Sequence, residues 1–398
     1  MSQWPLAITA HSVVTALGTG TASLRRALHD RRGGLGPCTF PGAPSGIWTG
    51  EVNWVRDVAL PPGLTAYDCR NNRLAELCLS ADGFADAVAK SRSRHGAGRV
   101  AVVLGTSTGG IEETERAYAR RPDGRNALPS DFDYARTHDL QALVDYVRAR
   151  LGLTGPAMVI STACTSGARA IMQAAALMAS GMADAAVAGG VDSLCRLTLN
   201  GFGALELLSQ GPTRPCAADR DGISIGEAAG LLLLERPADA PAGSPLLLGA
   251  GASSDGHHMS APHPTGLGAV SAMRAALAAA GLDAAAVGYV NLHGTGTRAN
   301  DAMEDHAVHA VFGDAVPCSS TKGWMGHTLG ASGAVEAIVA TIALEDGLIP
   351  GCLGVEAPDP TFRSRVATAN TAAPLRHVIS NSFGFGGSNC SLVLGRAA

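Results

Sequence analysis

The sequence predicts an α/β fold assembled from two similar halves. Three observations lead to this expectation: short apolar runs that end in glycine- or serine-rich loops, alanine-rich helical segments between those runs, and segments that resemble each other within the chain. The 398 residues include 50 glycines, which permit sharp turns and a close approach of backbones. Uninterrupted apolar strands are typical of sheets whose two faces are both covered by helices.

The predicted strands are apolar runs without the alternation of a half-exposed strand. In chain order they are Arg99 to Leu104, Ala157 to Ile160, Ala185 to Ala188, Ala229 to Leu234, Val287 to Leu292 and Arg376 to Ile379. Alanine-rich helical segments alternate with them, at Asn72 to Lys90, Ala168 to Ser180, Ala269 to Ala280 and Gly333 to Asp346. This alternation predicts layers of helices packed on sheets.

Two pairs of segments resemble each other within the chain. VVLGTSTGG from Val102 resembles VNLHGTGT from Val290, and VISTACTSGA from Val159 resembles PCSSTKGWMGHTLGASGA from Pro317. Glycine-rich loops between strands and helices resemble one another in many proteins, so the similarity alone leaves both interpretations open. A true repeat predicts two halves, 1–240 and 241–398, joined within the Pro/Ala-rich stretch from Arg236 to Pro245.

Composition and charge exclude several classes of protein. The net charge is −4 and no Lys/Arg block stands out, so nucleic-acid binding is not expected. Only 16% of residues are charged, whereas 46% are hydrophobic, which favours an oligomer. The opening segment lacks a basic region followed by a long apolar run, and no run of 18 apolar residues occurs anywhere. We therefore expect a cytoplasmic protein without a membrane span.

The nine cysteines are scattered without a CxxC pair, so reduced and mostly buried thiols are expected rather than a disulfide scaffold or a zinc ribbon. Cys164 has a distinctive context. The strand that ends at Ile160 leads into STACTSG, and helical periodicity begins at Ala168. A thiol near a helix N-terminus lies in the positive end of the helix dipole, where its pKa can fall from about 8.5 to roughly 3.5–7.5. This context predicts a reactive nucleophile.

Two histidines follow predicted strands and could reach the same cleft. His293 comes directly after the run from Val290 to Leu292, where it either points into a cleft or bonds a nearby carbonyl. His327 lies in TKGWMGHT, five residues after Lys322. A lysine among small and apolar residues suggests a defined electrostatic role, although a solvated loop lysine fits the same local sequence.

The segment NSFGFGGSN, from Asn381 to Asn389, is predicted to be a loop after the last apolar run. Such a loop can offer backbone N–H groups to an oxyanion while an aromatic ring controls access. A tight turn that carries two core aromatic residues is the alternative interpretation.

Two other motifs point to different chemistry. The segment from Gly105 to Gly109 fits the motif GxSxG and follows a strand, which is where a serine hydrolase would carry its nucleophile, here Ser107. No HGGG-type oxyanion motif precedes it, however. Gly249 to Gly251 follows a short apolar run, but Ser254 stands where the dinucleotide fingerprint GxGxxG needs its third glycine. A serine hydrolase therefore stays an alternative function, whereas a dinucleotide site is not expected.

Taken together, the segments resemble the β-ketoacyl-acyl-carrier-protein synthases of the thiolase superfamily over nearly the whole chain. The motifs occur in the family's order: Ile8 to Gly18, the segment around Cys164, Asp219 to Glu227, Asn291 to Asp301, Ser320 to Glu336 and Ser380 to Asn389. A Cys-His-His set resembles the elongating type, whereas initiating synthases have Cys-His-Asn and thiolases Cys-His-Cys. The chain departs from the family's usual residues at Ile223-Ser224 and at His257.

Within this family the chain is most similar to the synthases of aryl-polyene pigment clusters. Three segments carry that finer resemblance: Asp68 to Arg73, Asp131 to His138 and Gly190 to Phe202. The pathway that the resemblance implies is therefore either fatty-acid synthesis or aryl-polyene-type synthesis.

The resemblance implies the thiolase fold, in which two βα halves stack as five layers, αβαβα, with the site at their junction. It implies that Cys164 is acylated and that His293 and His327 stabilise the enolate formed when malonyl-carrier protein loses CO2. Lys322 would tune the electrostatics around His327, and Glu336 would anchor that network.

The resemblance also assigns the groups that bind the substrate. The backbone N–H groups of Cys164 and Phe385 would form the oxyanion hole, and the Phe385 ring would gate access. Thr295 and Thr297 would line the pantetheine channel, and Phe383 would contact the substrate.

Partners follow from the same resemblance. An acyl carrier protein would bring the phosphopantetheine arm, so no metal or organic cofactor of the enzyme itself is expected. The low charge content and the family predict a dimer, formed with a second copy or with a paralogous synthase. A non-catalytic subunit that only sets chain length is the alternative, but such subunits lack the nucleophile that this chain keeps at Cys164.

Overall fold

The computed structural model describes residues 4–121 and 127–396, and the opening tripeptide lies outside this part of the chain. The strands of the first half are β1 Leu6–Thr15, β2 Gly18–Thr19, β3 Gly36–Pro37, β4 Trp48–Gly50, β5 Val100–Gly105, β6 Ala157–Ile160, β7 Ala185–Asp192, β8 Ile225–Gly226 and β9 Ala228–Glu235. Its helices are α1 Thr21–His29, α2 Arg70–Ser80, α3 Phe84–His95, α4 Ile111–Ala119, α5 Gln141–Leu151, α6 Ser166–Ala179 and α7 Arg196–Ala204.

The second half has the strands β10 Pro245–Ser254, β11 Tyr289–Asn291, β12 Pro317–Ser319, β13 Leu348–Ile349, β14 Arg365–Val366, β15 Thr371–Ala372, β16 His377–Gly384 and β17 Ser388–Arg396. Its helices are α8 Leu267–Ala280, α9 Arg298–Phe312, α10 Lys322–Met325 and α11 Ser332–Asp346. Short 3₁₀ turns lie at Asn53–Asp57, Thr65–Tyr67, Ala97–Arg99, Pro237–Asp239, Ala284–Ala286, Leu329–Ala331 and Phe385–Gly387, and a π-helical turn lies at Tyr134–His138.

The two halves repeat one strand order. In the first half the order is β1-β9-β7-β5-β6, with antiparallel pairing from β1 to β7 and parallel pairing from β7 to β6. In the second half β10-β17-β16-β11-β12 has the same order and the same directions. A short antiparallel contact, with Leu6 opposite Leu247, joins β1 to β10 at the seam. The internal repeat predicted from the sequence is thereby confirmed.

Three apolar cores separate the layers. One lies between the two halves of the sheet and contains α6 and α11. A second lies between the first half of the sheet and α2, α3 and α5, and a third lies between the second half and α8 and α9. The layers therefore run helix, sheet, helix, sheet, helix, which confirms the predicted five-layered αβαβα fold.

The central helices begin with the same local geometry. The sequence TACTSGA from Thr162 precedes and opens α6, and TLGASGA from Thr328 precedes and opens α11. Ala163 and Leu329 occupy the same place in these segments, and both adopt left-handed φ angles, 52° and 51°. All residues of α11 from Ser332 to Leu344 are buried, as expected for a helix without a polar face at the centre of a fold.

The six predicted strands and three of the four predicted helices are confirmed within a few residues of their bounds. The fourth helix was wrong as a single element, because α2 ends at Ser80 and α3 begins at Phe84. Asp82 and Gly83 both have left-handed φ angles, 56° and 68°, which no continuous helix accommodates. The division into 1–240 and 241–398 stays a prediction, because both halves share one sheet.

In the part of the chain that the structure describes, none of the helices has the length and apolarity that a membrane crossing requires.

Candidate active site

Cys164 lies in the turn between β6 and α6, two residues before the helix begins. The left-handed conformation of Ala163, directly before it, costs about 1–3 kcal/mol in a non-glycine residue, and such strained residues are enriched at active sites. The cysteine is 7% exposed and lines a cleft of about 450 Å³. The turn therefore presents the sulfur to a cavity rather than to the core.

The structure brings both predicted histidines to this sulfur. Nε2 of His327 lies 3.0 Å from Sγ of Cys164, and the rings of His293 and His327 meet edge to face with centroids 5.2 Å apart. The sulfur of Cys164 and one ring nitrogen of each histidine all lie within 4.8 Å of one another. Cys164 follows a strand of the first half and the histidines follow strands of the second, so the site forms where the halves meet.

Hydrogen bonds fix the tautomers of the two imidazoles. The backbone N–H of Leu329 donates to Nδ1 of His327 at 3.2 Å, and the ammonium of Lys322 lies 3.4 Å from Nδ1 of His293. With both Nδ1 atoms facing donors, each neutral ring carries its proton on Nε2. Burial lowers the pKa of both histidines well below the usual value, and the charge of Lys322 lowers both further. Two neutral N–H donors therefore face the cleft.

The same three side chains could ligate a soft divalent metal ion, since thiolate and imidazole nitrogen are good ligands. Ligation needs a free lone pair on each Nε2, however, and here the donors at Nδ1 place the protons on Nε2. The arrangement therefore fits hydrogen-bond donation better than metal binding. The absence of a metal or organic cofactor stays a prediction.

The thiol is less acidic than its position before a helix suggested. Burial raises the pKa of Cys164 to about 12, and the opposing charge of Lys322 lowers it only in part. The expectation of a lowered pKa considered the helix dipole alone, whereas desolvation of the thiolate has the larger effect in this closed site. Cys164 therefore rests as a thiol, with the Nε2–H of His327 donating to its sulfur.

Lys322 is fully buried beside the histidines. Its ammonium lies 2.5 Å from a carboxylate oxygen of Glu336 and donates to the backbone carbonyl of His293. These direct contacts are with His293 rather than with His327, which the sequence had placed nearest, although the charge lowers the pKa of both rings. Glu336 reaches Lys322 from the first turns of α11.

The segment from Asn381 to Asn389 is a hairpin rather than a loop. β16 continues to Gly384 and β17 begins at Ser388, so only Phe385–Gly387 forms the turn. The prediction of a nine-residue loop was wrong because polar residues inside the hairpin are paired; the Ser391 hydroxyl, for example, donates to Asn381 at 2.8 Å. The second interpretation, a tight turn with aromatic residues, describes the structure better.

This turn lies against the backbone of the nucleophile. A Cβ added at Gly384 would lie 3.3 Å from the backbone nitrogen of Cys164, so a side chain there would push the turn a few tenths of an ångström away from the nucleophile. Among the described residues no acceptor bonds the backbone N–H of Cys164 or of Phe385. Both groups are therefore free to donate to an oxyanion. The Phe385 ring lines the cleft and contacts Phe202 with centroids 5.7 Å apart.

The remaining predicted substrate residues also line the cleft. Thr295 and Thr297 lie along it with their hydroxyls 3.0 Å apart, and the Phe383 ring meets the edge of His293 at 6.0 Å. Ile223, one of the unusual residues, lines the cleft as well. His257 is exposed and packs against His263 instead.

Ser107 has none of the partners that a hydrolase nucleophile needs. Its hydroxyl and its backbone N–H donate to the buried carboxylate of Asp192, and no imidazole bonds it among the described residues. Asp192 accepts four further hydrogen bonds, from the hydroxyl of Thr106, the N–H and hydroxyl of Thr108, and the N–H of Gly330. Asp192 thus ties a loop of the first half to the segment after His327, a role that the sequence analysis missed.

Glu304 is a second residue that the sequence analysis missed. From α9 its carboxylate accepts the N–H groups of His293 and Gly294, at 2.8 and 2.7 Å, and so holds the backbone of the histidine loop. Burial raises its pKa to about 7. Its place one helical turn after Asp301, at the start of α9, was the available signal.

Comparison with known proteins agrees with this geometry. Residues 72–240 match the family model described as the N-terminal domain of beta-ketoacyl synthase, and residues 246–356 match the C-terminal domain. The curated 3-oxoacyl-[acyl-carrier-protein] synthase 2 of Rhizobium meliloti (strain 1021) is 40% identical over 314 residues, 74% of this chain and 73% of the relative. The protein of the same name from Vibrio cholerae is 36% identical over 321 residues, 75% of this chain and 76% of the relative.

Solved structures extend the similarity to almost the whole chain. A ketosynthase from Xenorhabdus doucetiae, in complex with its chain length factor, superposes with a TM-score of 0.89 at 37% identity and covers 98% of both chains. The ishigamide ketosynthase/chain length factor superposes with a TM-score of 0.89 at 27% identity over 99% of both chains. On the family match, the identity to curated relatives and the shared fold, the chain belongs to the β-ketoacyl synthase family.

Proposed function

We propose that this β-ketoacyl synthase elongates acyl chains held on an acyl carrier protein, with Cys164 as its nucleophile and the two Nε2–H donors as its enolate site. The reaction is a decarboxylative Claisen condensation with malonyl-carrier protein. The observation that carries the proposal is the convergence of Cys164, His293 and His327 on one cleft, with Nε2 of His327 3.0 Å from the sulfur.

In the first half-reaction, Sγ of Cys164 attacks the carbonyl carbon of the acyl thioester. A new C–S bond forms, the old C–S bond to the pantetheine breaks, and the thiol proton ends on the pantetheine sulfur. The tetrahedral oxyanion accepts hydrogen bonds from the backbone N–H groups of Cys164 and Phe385. Covalent attachment divides one difficult condensation into two easier steps.

In the second half-reaction, the malonyl group loses CO2, and the electrons of the broken C–C bond move to the thioester oxygen as an enolate. The Nε2–H groups of His293 and His327 would hold that negative oxygen. The enolate carbon then attacks the acyl-Cys164 carbonyl, a C–C bond forms, and the sulfur leaves. The departing thiolate accepts a hydrogen bond from the Nε2–H of His327 and takes up one proton from the solvent, the proton that the overall condensation consumes, which restores the thiol.

Replacement of the nucleophile tests this assignment. Cys164→Ala should abolish formation of the acyl-enzyme, because no other thiol lines the cleft among the described residues. Cys69→Ala and Cys216→Ala, which alter buried thiols outside the cleft, should become acylated like the unchanged protein. Intact-mass spectrometry after incubation with an acyl-carrier protein measures the covalent adduct. Acylation that persists in Cys164→Ala would overturn the proposal.

For the pathway, we propose aryl-polyene-type synthesis, on the strength of the three segments that resemble those synthases. In the structure two of these segments contact α4, the π-turn at Tyr134–His138 and the helix α7. The cleft offers aromatic surfaces, Phe202 and Phe385, that suit a flat conjugated chain. Assays with saturated and polyunsaturated acyl-carrier proteins of equal length test the preference; equal rates would contradict it.

The chain is also expected to pair with a partner subunit, as the neighbouring ketosynthases in complex with chain length factors do. The retained Cys164 disfavours the alternative that this chain is itself the non-catalytic subunit. A dimer with a second copy or with a paralogous synthase, and a cytoplasmic location, stay predictions from the sequence.

A further inference from the structure

The mouth of the cleft has one cation that the reaction described above does not use. Arg298 lines the cleft, is exposed, and opens α9 directly after Thr297. Within the described residues its guanidinium makes no hydrogen bond or ion pair. The guanidinium of Arg214, by contrast, forms an ion pair with the carboxylate of Asp219 at 2.8 Å. A free guanidinium in the wall of a binding cleft is available to an incoming anion.

Among the described residues, the other charged side chains of the cleft wall are the carboxylates of Glu206, Asp221 and Asp255, which are opposite to Arg298 in sign. Asp221 accepts from Ser209 and from the backbone of Gln210, and Asp255 accepts from His263 and Asn389. The two histidines inside the cleft are neutral for the reasons given above. Arg298 is therefore the only full positive charge among the described residues of the wall.

The backbone around Arg298 adds to this positive field. As the first residues of a fifteen-residue helix, Arg298 and Ala299 have backbone N–H groups without acceptors among the described residues, whereas Asn300 N–H is capped by the Thr297 hydroxyl. The unpaired N–H groups and the helix dipole both favour an anion at this position. The N-terminal end of α9 and the guanidinium of Arg298 therefore both attract an anion to the same side of the cleft.

We propose that Arg298 binds the phosphate of the phosphopantetheine arm while the arm's thioester reaches Cys164. This rests on the proposed function, which requires that the arm enter the cleft past Thr295 and Thr297. The arm carries its thioester at one end and its phosphate at the other, and the phosphate is its one permanent negative charge. A guanidinium offers two parallel N–H donors to phosphate oxygens and recognises that group specifically.

Two small thioesters that differ only in the phosphate test the proposal. Hexanoyl-phosphopantetheine and hexanoyl-pantetheine are each titrated against the protein, and the rate of Cys164 acylation is followed by intact-mass spectrometry. The unchanged protein should reach half-saturation at a roughly two- to fivefold lower concentration of the phosphorylated compound, as expected for one solvent-exposed ion pair. Arg298→Gln should remove that difference and leave acylation by hexanoyl-pantetheine unchanged.

Arg214→Gln is the matched control, because it removes a paired guanidinium outside the cleft wall and should preserve the phosphate advantage. Arg298→Lys, which keeps the charge without the two parallel donors, should retain part of it. If Arg298→Gln weakens acylation only by the complete acyl-carrier protein, the residue contacts the carrier's surface and the proposal is wrong. If neither thioester acylates Cys164 in the unchanged protein, the proposed function fails instead.

Discussion

At Cys164, burial and hydrogen bonding act in opposite directions on the sulfur. Desolvation raises the thiol pKa to about 12, whereas the Nε2–H of His327 stabilises negative charge as it develops on the sulfur. A thiol that is protonated at rest yet faces a donor is protected from stray oxidation, because the reactive species is the thiolate. Its proton is transferred only when a thioester is bound, because the departing pantetheine sulfur is the group that receives it.

Replacing His293 and replacing His327 should affect the two half-reactions differently. His293→Ala should become acylated almost normally, because His293 makes no hydrogen bond to the sulfur, but should lose CO2 release by roughly two to three orders of magnitude, as for other lost oxyanion donors. His327→Ala should show the same loss and, in addition, acylation slowed by about tenfold, because a donor to the charged sulfur is gone. Single-turnover assays of protein-bound acyl label and of labelled CO2 measure the two steps.

His29→Ala, at an exposed histidine of α1 that does not line the cleft, serves as the control and should change neither step. If a histidine variant loses acylation while CO2 release stays normal, that residue acts as a base for Cys164 and the roles given above are wrong.

The charge of Lys322 should affect how the rate of decarboxylation depends on pH. Its charge lowers the pKa of both histidines, so Lys322→Met raises both pKa values, and the neutral imidazoles are lost at a higher pH than in the unchanged protein. The acid limb of the pH profile for CO2 release should therefore move to higher pH. Lys322→Arg keeps the positive charge and should leave that limb near its original position. An acid limb that stays in place or moves to lower pH in Lys322→Met would contradict this electrostatic role.

At the scale of elements, the sequence predicted a strand or helix correctly where burial of apolar residues alone decides the structure. It was misleading where backbone conformation or distant hydrogen bonds decide it. Buried strands such as β5 and β7 were predictable because an unbroken apolar run has few alternatives in a covered sheet. The break between α2 and α3 depends on left-handed residues, Asp82 and Gly83, that helical composition does not reveal. The hairpin of β16 and β17 was missed because its buried polar residues find their partners only across the fold.

The same limit applies to the supports of the site. Cys164, His293 and His327 stand out because glycine-rich loops place them after strands. Asp192 and Glu304 have ordinary local sequences, and their roles come from hydrogen bonds to residues about a hundred positions away or across a loop. The fold makes these supporting roles evident because it brings the two ends of each hydrogen bond together.

Asp192 should be more important for folding than for chemistry. Asp192→Asn replaces one acceptor oxygen by an N–H2 group that faces donors from both halves, so it should destabilise the protein by about 3 kcal/mol or more. Ser107→Ala removes a single hydroxyl from the same network and should cost about 1 kcal/mol while leaving acylation intact. Denaturant unfolding and acylation assays measure both. Loss of acylation in a well-folded Ser107→Ala protein would instead revive the serine-hydrolase alternative.

At the scale of the whole molecule, the sheet has an open edge close to the nucleophile. β6 lies at the end of the strand order and pairs only with β5 among the described strands, and its four residues are half-buried. Unpaired strand edges are commonly covered by another strand or another chain. This edge is where a partner subunit is expected to bind, next to the turn that carries Cys164.

Light scattering with a parallel activity assay tests the predicted dimer. The protein should have twice the mass of the 40.2 kDa chain at assay concentration, either alone or after co-expression with a paralogous synthase. The two arms distinguish a pair of identical chains from a mixed pair, and lone chains that stay monomeric until the paralogue is added indicate the mixed pair. A monomer with full activity would contradict the prediction in both forms.

The matching turns before α6 and α11 differ at the position of the nucleophile. When TACTSGA and TLGASGA are aligned, Gly330 falls at the position of Cys164. A Cβ there would lie 2.7 Å from a carboxylate oxygen of Asp192 and 2.9 Å from the backbone nitrogen of Ser107, so the second copy has no room for any side chain, a thiol included. Its turn serves instead as the anchor that holds the His327 loop. The internal repeat thus contains one reactive centre rather than two, because one turn carries the nucleophile and the matching turn anchors the loop of its histidine partner.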